Sequence, residues 1–314
     1  MHSPKYCLAA AIIAASPLAL LATPAAAQNW VSYVSPSGDN NNDCGETAPC
    51  ETFAIAYGRT AAGGTIHCLD AGDFGYVDIE KSITIDCKTD QGWGQASIDA
   101  AGIQVVLRGL GSDGGTDAVS SAYGVFITAA ATVVIEDCAM RDSKAADPWG
   151  FGIWVLNETG TAEVSIRNCS ISGNRKAGIQ IAPTGSGSAK VMVSNSNSTN
   201  NNVGIRADTT ETSGRIDLTV VDTVLDGNTY QGLVLEGGAG QIAALASRMS
   251  ASNNGTQGIR SINGTASLRI DDSNISGNAM AVETLNGGVI QSFGNNRMMG
   301  NTNASAPLPI VSQR

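Results

Sequence analysis

The residues whose types and spacing come closest to a catalytic pair are Asp271 and Asp272, with Arg269 two positions before the first of them. Two carboxylates divide acid and base roles only when their surroundings push their proton affinities apart. An arginine on the same face works against that, because a neutralised pair lacks the raised pKa an acid catalyst needs. The loop Gly111-Ser112-Asp113-Gly114-Gly115-Thr116-Asp117 offers a second chemistry. Its glycines suit tight turns, and Asp113 and Asp117 supply hard oxygens of the kind calcium takes. A single copy, without tandem repetition, reads first as an excursion of the chain. No metal or other cofactor is therefore expected, with calcium at Asp113 and Asp117 as the alternative. His67 is the one histidine beyond the first residues, and Cys-x-x-Cys, His-Glu-x-x-His, Gly-x-Ser-x-Gly and phosphate-loop patterns are all missing. Zinc sites and serine triads have little to draw on.

A third chemistry is binding. Gly, an aliphatic, a variable residue and a small or apolar residue recur seven times, at Gly102, Gly124, Gly152, Gly178, Gly204, Gly232 and Gly258. The variable position must point outward because its neighbours point in. Along the chain it reads Gln104, Phe126, Trp154, Gln180, Arg206, Val234 and Arg260. Rings stack on sugar faces, and Arg and Gln bond hydroxyls or carboxylates. Phe126, Trp154, Gln180, Arg206 and Arg260 thus form a candidate glycan track, with Trp149 and Phe151 adding rings nearby. The plainer reading makes the rings a cover over a loop and the arginines solvated.

These positions have to be held by a repeating element. The copies start 22 to 28 residues apart, too far for a hairpin and right for one coil of a stacked solenoid. Before most copies stand two inward apolar residues two apart, a polar corner, another apolar residue and an Asn, as in Val164, Ile166, Asn168, Ile171 and Asn174. Such short alternation is strand periodicity, and the polar residues between are turn formers. Aligning the coils predicts a ladder of Asn174, Asn201, Asn228, Asn253, Asn278 and Asn301, whose amides can bond to one another up the axis. A second corner column predicts Asp137, Asn168, Asn195, Asp222, Asp272 and Asn295, with Ser247 as the departure. Outward charges alternate between coils, as in Glu163, Lys190 and Asp217 or Glu136 and Arg167, which predicts a self-neutralised surface. One coil cannot bury enough to stand alone, so stability must come from stacking.

The same alignment places the six cysteines after residue 27. Cys68 and Cys87 each follow a strand Ile by two, and Cys138 and Cys169 each follow one by three, while Cys44 and Cys50 are six apart. Neighbouring strands lie about 4.8 Å apart, a spacing a disulfide tolerates. Three bridges are predicted, Cys44 to Cys50, Cys68 to Cys87 and Cys138 to Cys169.

Residues 1–27 read as a secretory signal peptide, with a basic start, an apolar stretch broken by Pro17, and Ala25-Ala26-Ala27 before Gln28. Export to the periplasm, the cell surface or the medium fits disulfides. No later stretch is apolar enough for a membrane span. A net charge of −10 over 314 residues repels polyanions, so nucleic acid is excluded as a partner. The expected organisation is a signal peptide at 1–27, an N-terminal lead-in with a capping helix at 28–62, a solenoid at 63–302 and a C-terminal tail at 303–314. Pro49 and Glu51 suit the helix's first turn, with Gly63-Gly64 ending it and Thr65-Ile66 opening the first strand. The Pro307 and Pro309 tail breaks the pattern without an obvious cap, leaving room for an oligomer contact at that end.

The segments Cys50-Glu51-Thr52-Phe53-Ala54, Ala62-Gly63-Gly64-Thr65-Ile66 and Lys81-Ser82-Ile83-Thr84-Ile85, together with the Gly-Ile and Ser-Gly-Asn repeats, resemble right-handed parallel β-helix proteins of the pectin lyase-like superfamily. The resemblance covers nearly all the chain after residue 27 and is closest to exported bacterial β-helix repeat proteins of unassigned function. It implies an all-β, single-stranded right-handed parallel β-helix and specifies no reaction. Expected first is a non-catalytic exported module that binds polysaccharide or a cell-surface glycan. The alternatives are a polysaccharide lyase or glycoside hydrolase, with Asp271, Asp272 and Arg269 as its site, and an adhesin-like or fibre protein joined through its C-terminal end.

Overall fold

A computed structural model describes residues 28–87, 92–114, 123–129, 131–144 and 150–312. The predicted signal peptide, and with it Asp117 and Trp149, lies outside the described residues.

Every strand pairing is parallel, and the chain winds as a solenoid with three faces. The first face is an 11-stranded sheet that begins with Asn29–Val34 and ends with Val289–Ser292. The second consists of three-residue strands from Leu110–Ser112 to Arg297–Met299, and the third of longer strands from Gly72–Ile79 to Met280–Leu285. Inward residues along these strands are Val, Ile, Leu and Ala, almost all fully buried in one continuous core. With so few rings in the interior, shape-matched aliphatics stacked at strand spacing carry the packing.

Two corners set the coil. Between the first and second faces a single residue takes a left-handed backbone conformation, at Asp137, Asn168, Asn195, Asp222, Arg248 and Asp272. Asx residues tolerate that region better than other non-glycines. The departure is therefore Arg248 and not Ser247, which ends its strand; Asn295 closes the column by accepting from the Asp272 N–H at 3.1 Å. Between the second and third faces a left-handed residue alternates in kind from Asp142 through Gly173, Asn200, Gly227 and Asn253 to Gly277, and Gly300 then follows Gly277. The Asn200 Oδ1 stands 2.9 Å from where a Cβ on Gly227 would be, and the Asp142 and Asn253 oxygens crowd Gly173 and Gly277 in the same way.

The buried ladder follows immediately as Asn174, Asn201, Asn228, Asn254, Asn278 and Asn301. From Asn201 on each Oδ1 accepts from the preceding coil's Asn, as in Asn228 Nδ2 to Asn254 Oδ1 at 2.9 Å and Asn254 Nδ2 to Asn278 Oδ1 at 2.9 Å, while the Asn174 Oδ1 accepts from the Ser143 N–H at 3.1 Å. Asn254 thus takes the place expected for Asn253, which sits at the left-handed corner and donates outward to Asp226 at 2.8 Å.

All three predicted disulfides form, with Cα separations of 4.7 Å for Cys44 and Cys50, 4.8 Å for Cys68 and Cys87, and 4.5 Å for Cys138 and Cys169. The helix is shorter than expected, Phe53–Arg59, with Thr52 as its N-cap, so Pro49 and Glu51 precede it. Gly63 and Gly64 lie inside the strand Thr60–Cys68 instead of ending the helix. At the far end the tail folds back on the last coil: Asn303 N–H donates to Ala279 O at 2.8 Å and Val311 N–H to Ser292 O at 2.9 Å. Those bonds occupy part of the open edge that the sequence left uncovered.

Candidate functional site

The third face carries the candidate site, because its strands stack the outward residue after each Gly-aliphatic pair. Register pairs Phe126 with Trp154, Trp154 with Gln180, Gln180 with Arg206, Arg206 with Val234, and Val234 with Arg260. The predicted row is in register from Phe126 onward, although Gln180 and Val234, expected to be exposed, are buried in it. Its expected first member, Gln104, is not in it: Gln104–Arg108 is a strand of the first face, and Ser97 precedes Phe126 instead. The cause is Gly102, which turns at φ +74° before that strand.

Four rings gather at the start of the row. Phe126 and Trp154 stack with centroids 4.7 Å apart, Tyr123 lies 4.9 Å from Phe126, and Phe151 lies 4.6 Å from Trp154. Strand spacing sets the Phe126–Trp154 stack, since residues in register on neighbouring strands stand at stacking distance, while Tyr123 and Phe151 each meet the ring three residues on along their own strand. Tyr123 and Phe151 each precede the Gly of a repeat and are themselves in register, a signal the sequence held and that was not read for Tyr123. Beyond the rings a cleft of about 230 Å³ is lined by Phe151, Lys176, Gln180, Asn202, Arg206 and Tyr230, among others.

A second cleft, about 310 Å³, lies on the other side of the rings, between Asp73, Tyr76, Trp93, Gln95 and Asp113. The Arg141 guanidinium sits 5.3 Å over the Trp93 ring. Asp113, named with Asp117 as the alternative calcium pair, lines this cleft. Among the described residues no cluster of three or more acidic, histidine or cysteine side chains could hold a metal ion. Tyr76 and Trp93 went unseen because a register shift between Asp73 and Tyr76 breaks the repeat there. The Tyr76 hydroxyl donates to Asp78; partial burial, with that bond to a carboxylate, raises its proton affinity above the usual phenol range although 42% of the residue is exposed. Burial raises that of Tyr123 too. Both phenols therefore stay protonated at neutral pH as hydrogen-bonding groups.

The arginines of the row are held rather than solvated. Arg206 pairs with Asp208 at 2.9 Å and with Glu236 on the next strand at 2.5 Å, and Arg260 reaches Glu283 at 2.9 Å. On the first face the predicted ladders form, with Lys190 to Glu163 at 3.0 Å and Glu136 accepting from both Arg108 and Arg167. Near the last coils, Asp271 accepts from Ser247 Oγ at 3.1 Å and Asn295 Nδ2 at 2.9 Å. Asp272 stands at the left-handed corner, and Arg269 is exposed. Arg248 holds the neighbouring Asp222 through two bonds of 2.6 and 2.8 Å, keeping that carboxyl below its ordinary range.

Comparison with known proteins bears on the frame. The family described as right handed beta helix region matches residues 78–217 and 117–275. Among solved structures, a GH136 lacto-N-biosidase from Eubacterium ramulus is 13% identical with a TM-score of 0.50, over 90% of this chain and 68% of that one. Pectate lyase Pel9A is 16% identical with a TM-score of 0.49, over 88% of this chain and 78% of that one. A comparison with curated proteins gives no match. At these identities the likeness is one of fold.

Proposed function

Because the chain belongs to the right-handed β-helix family, in which equivalent side chains of successive coils form stripes, we propose that it is an exported, non-catalytic polysaccharide-binding protein that holds its ligand on the third face. The observation that carries this reading is the four-ring cluster of Tyr123, Phe126, Phe151 and Trp154 with a cleft opening on each side. Rings fixed by strand register offer flat apolar area with little conformational entropy left to lose, and the clefts add amide, phenol and carboxylate groups for hydroxyls. Three disulfides, and the lack of any helix among the described residues long and apolar enough to cross a membrane, fit a periplasmic, surface or secreted location.

Glycan retention by the full chain, measured by affinity electrophoresis or a glycan array, tests the reading. Trp154→Ala and Arg206→Ala are expected to lose retention at least about tenfold while keeping the wild-type circular dichroism spectrum. Unchanged retention in both rejects it.

A further inference from the structure

We infer that the ring row takes an uncharged polysaccharide laid along the solenoid axis and discriminates against polyuronates, an inference that rests on the glycan-binding reading above and narrows it. The first argument is charge. The row's two arginines face three carboxylates, Arg206 through Nη2 with Asp208 and Glu236 and Arg260 through Nε with Glu283, so the row itself carries no net positive charge. Around the rings and the first cleft Asp73, Asp78, Asp99 and Asp113 outnumber Arg141, while Lys176 lines the second cleft beside Arg206 and its two carboxylates. Asp73 accepts from the Gly75 N–H, Asp78 from the Tyr76 hydroxyl and Asp99 from Thr128 Oγ1, all neutral donors that leave the negative charge in place. A ligand that brings hydroxyl donors finds acceptors here, whereas one that brings carboxylates meets like charge.

The second argument is shape. The two clefts flank the rings along the stacking direction, from the strand Gly72–Ile79 to Tyr230 just before the strand Leu233–Glu236. That is six strand steps, about 29 Å at roughly 4.8 Å per step. A site of that length and direction suits several consecutive sugars of one chain. Their apolar faces meet the rings and their hydroxyls reach Gln95 at one end and Gln180 and Tyr230 at the other.

Binding of the full chain is to be measured by titration calorimetry. The probes are a panel of neutral polysaccharides (β-glucan, xylan, galactan) and polygalacturonate and alginate, at about 50 and about 500 mM salt, with calcium or with chelator. The expected result is neutral-glycan binding whose Kd moves less than about twofold with salt. Polyuronate binding is expected at least about tenfold weaker at low salt, a gap that narrows in Asp73→Asn/Asp78→Asn/Asp99→Asn. Polyuronate binding as tight as neutral binding, with or without calcium, and lost in Trp154→Ala, overturns the selectivity and leaves the ring-row site standing. Absence of any glycan binding, or binding indifferent to Trp154→Ala, overturns the ring row and this inference together. The wild-type comparison decides the matter even if the triple variant does not fold.

Discussion

Asn228→Ala puts the stacking logic to a quantitative test. The Asn228 side chain is 1% exposed. Its Oδ1 accepts from the Asn201 N–H at 3.0 Å and from Asn201 Nδ2 at 3.3 Å, and its Nδ2 donates to Ser198 O at 3.2 Å and Asn254 Oδ1 at 2.9 Å. Removal leaves the Asn201 N–H buried without an acceptor, since Asn201 Nδ2 keeps Ile171 O and Asn254 Oδ1 keeps the Asn228 N–H. An orphaned buried donor costs about 1–3 kcal/mol, and the space left by the amide adds about 1 kcal/mol. The expected loss is about 3 kcal/mol, which at an m of about 3 kcal/mol/M lowers the urea midpoint by about 1 M. Asn274→Ala is the control: the same residue type and the same deletion at an exposed strand position, with a single bond to Ser276 Oγ and an expected loss of about 1 kcal/mol or less. Asn228→Asp should be no milder than Asn228→Ala, because it trades both donors for a buried charge. The effect should also reach the third face. A Cβ on Gly204 would stand 3.1 Å from Asn228 Nδ2, so the amide packs where the strand carrying Arg206 begins. Equal losses for Asn228→Ala and Asn274→Ala, within about 0.5 kcal/mol, would refute the ladder as the fixing element.

Cys138→Ser/Cys169→Ser opens a loop spanning a sequence separation of 31. Chain entropy puts its cost at about 3–4 kcal/mol, read as a lower urea midpoint; a loss under about 1 kcal/mol would assign the bridge no structural weight. Tyr76 has a higher proton affinity folded than unfolded, so its contribution is fully present below about pH 10 and is lost as pH rises above that. Thermal midpoints measured from about pH 9 to pH 11 should therefore fall less steeply in Tyr76→Phe than in wild type, and parallel curves would contradict the assignment.

The frame was legible because period, corner residues and inward aliphatics all repeat, so one alignment placed strands, ladders and cysteines together. Within the regular coils its errors are of one residue and have a local cause; the larger ones, Gln104 on another face and the short helix, fall in the irregular first coils. In Asn253-Asn254 either residue could fill either place, and only the left-handed turn decides; in Ser247-Arg248 an arginine occupies a corner where Asx was expected. The ring row from Phe126 to Arg260 was readable for the same reason. What the sequence withheld was everything set by contacts across coils. Nothing in the repeat says that Arg206 is held by Glu236, or that Asp73, Tyr76 and Trp93 open a cleft beside the rings, because a bulge there breaks the period.

The left-handed corner that alternates Asx with glycine bears on how such a chain lengthens. Each Asx oxygen occupies the place a Cβ would take on the following glycine, so an Asx corner cannot be followed by another, whereas a glycine corner can follow either kind, as Gly300 follows Gly277. Engineered extensions by one coil, roughly 25 residues, should therefore be tolerated when the added corner is glycine and rejected when it sets Asx directly after Asx.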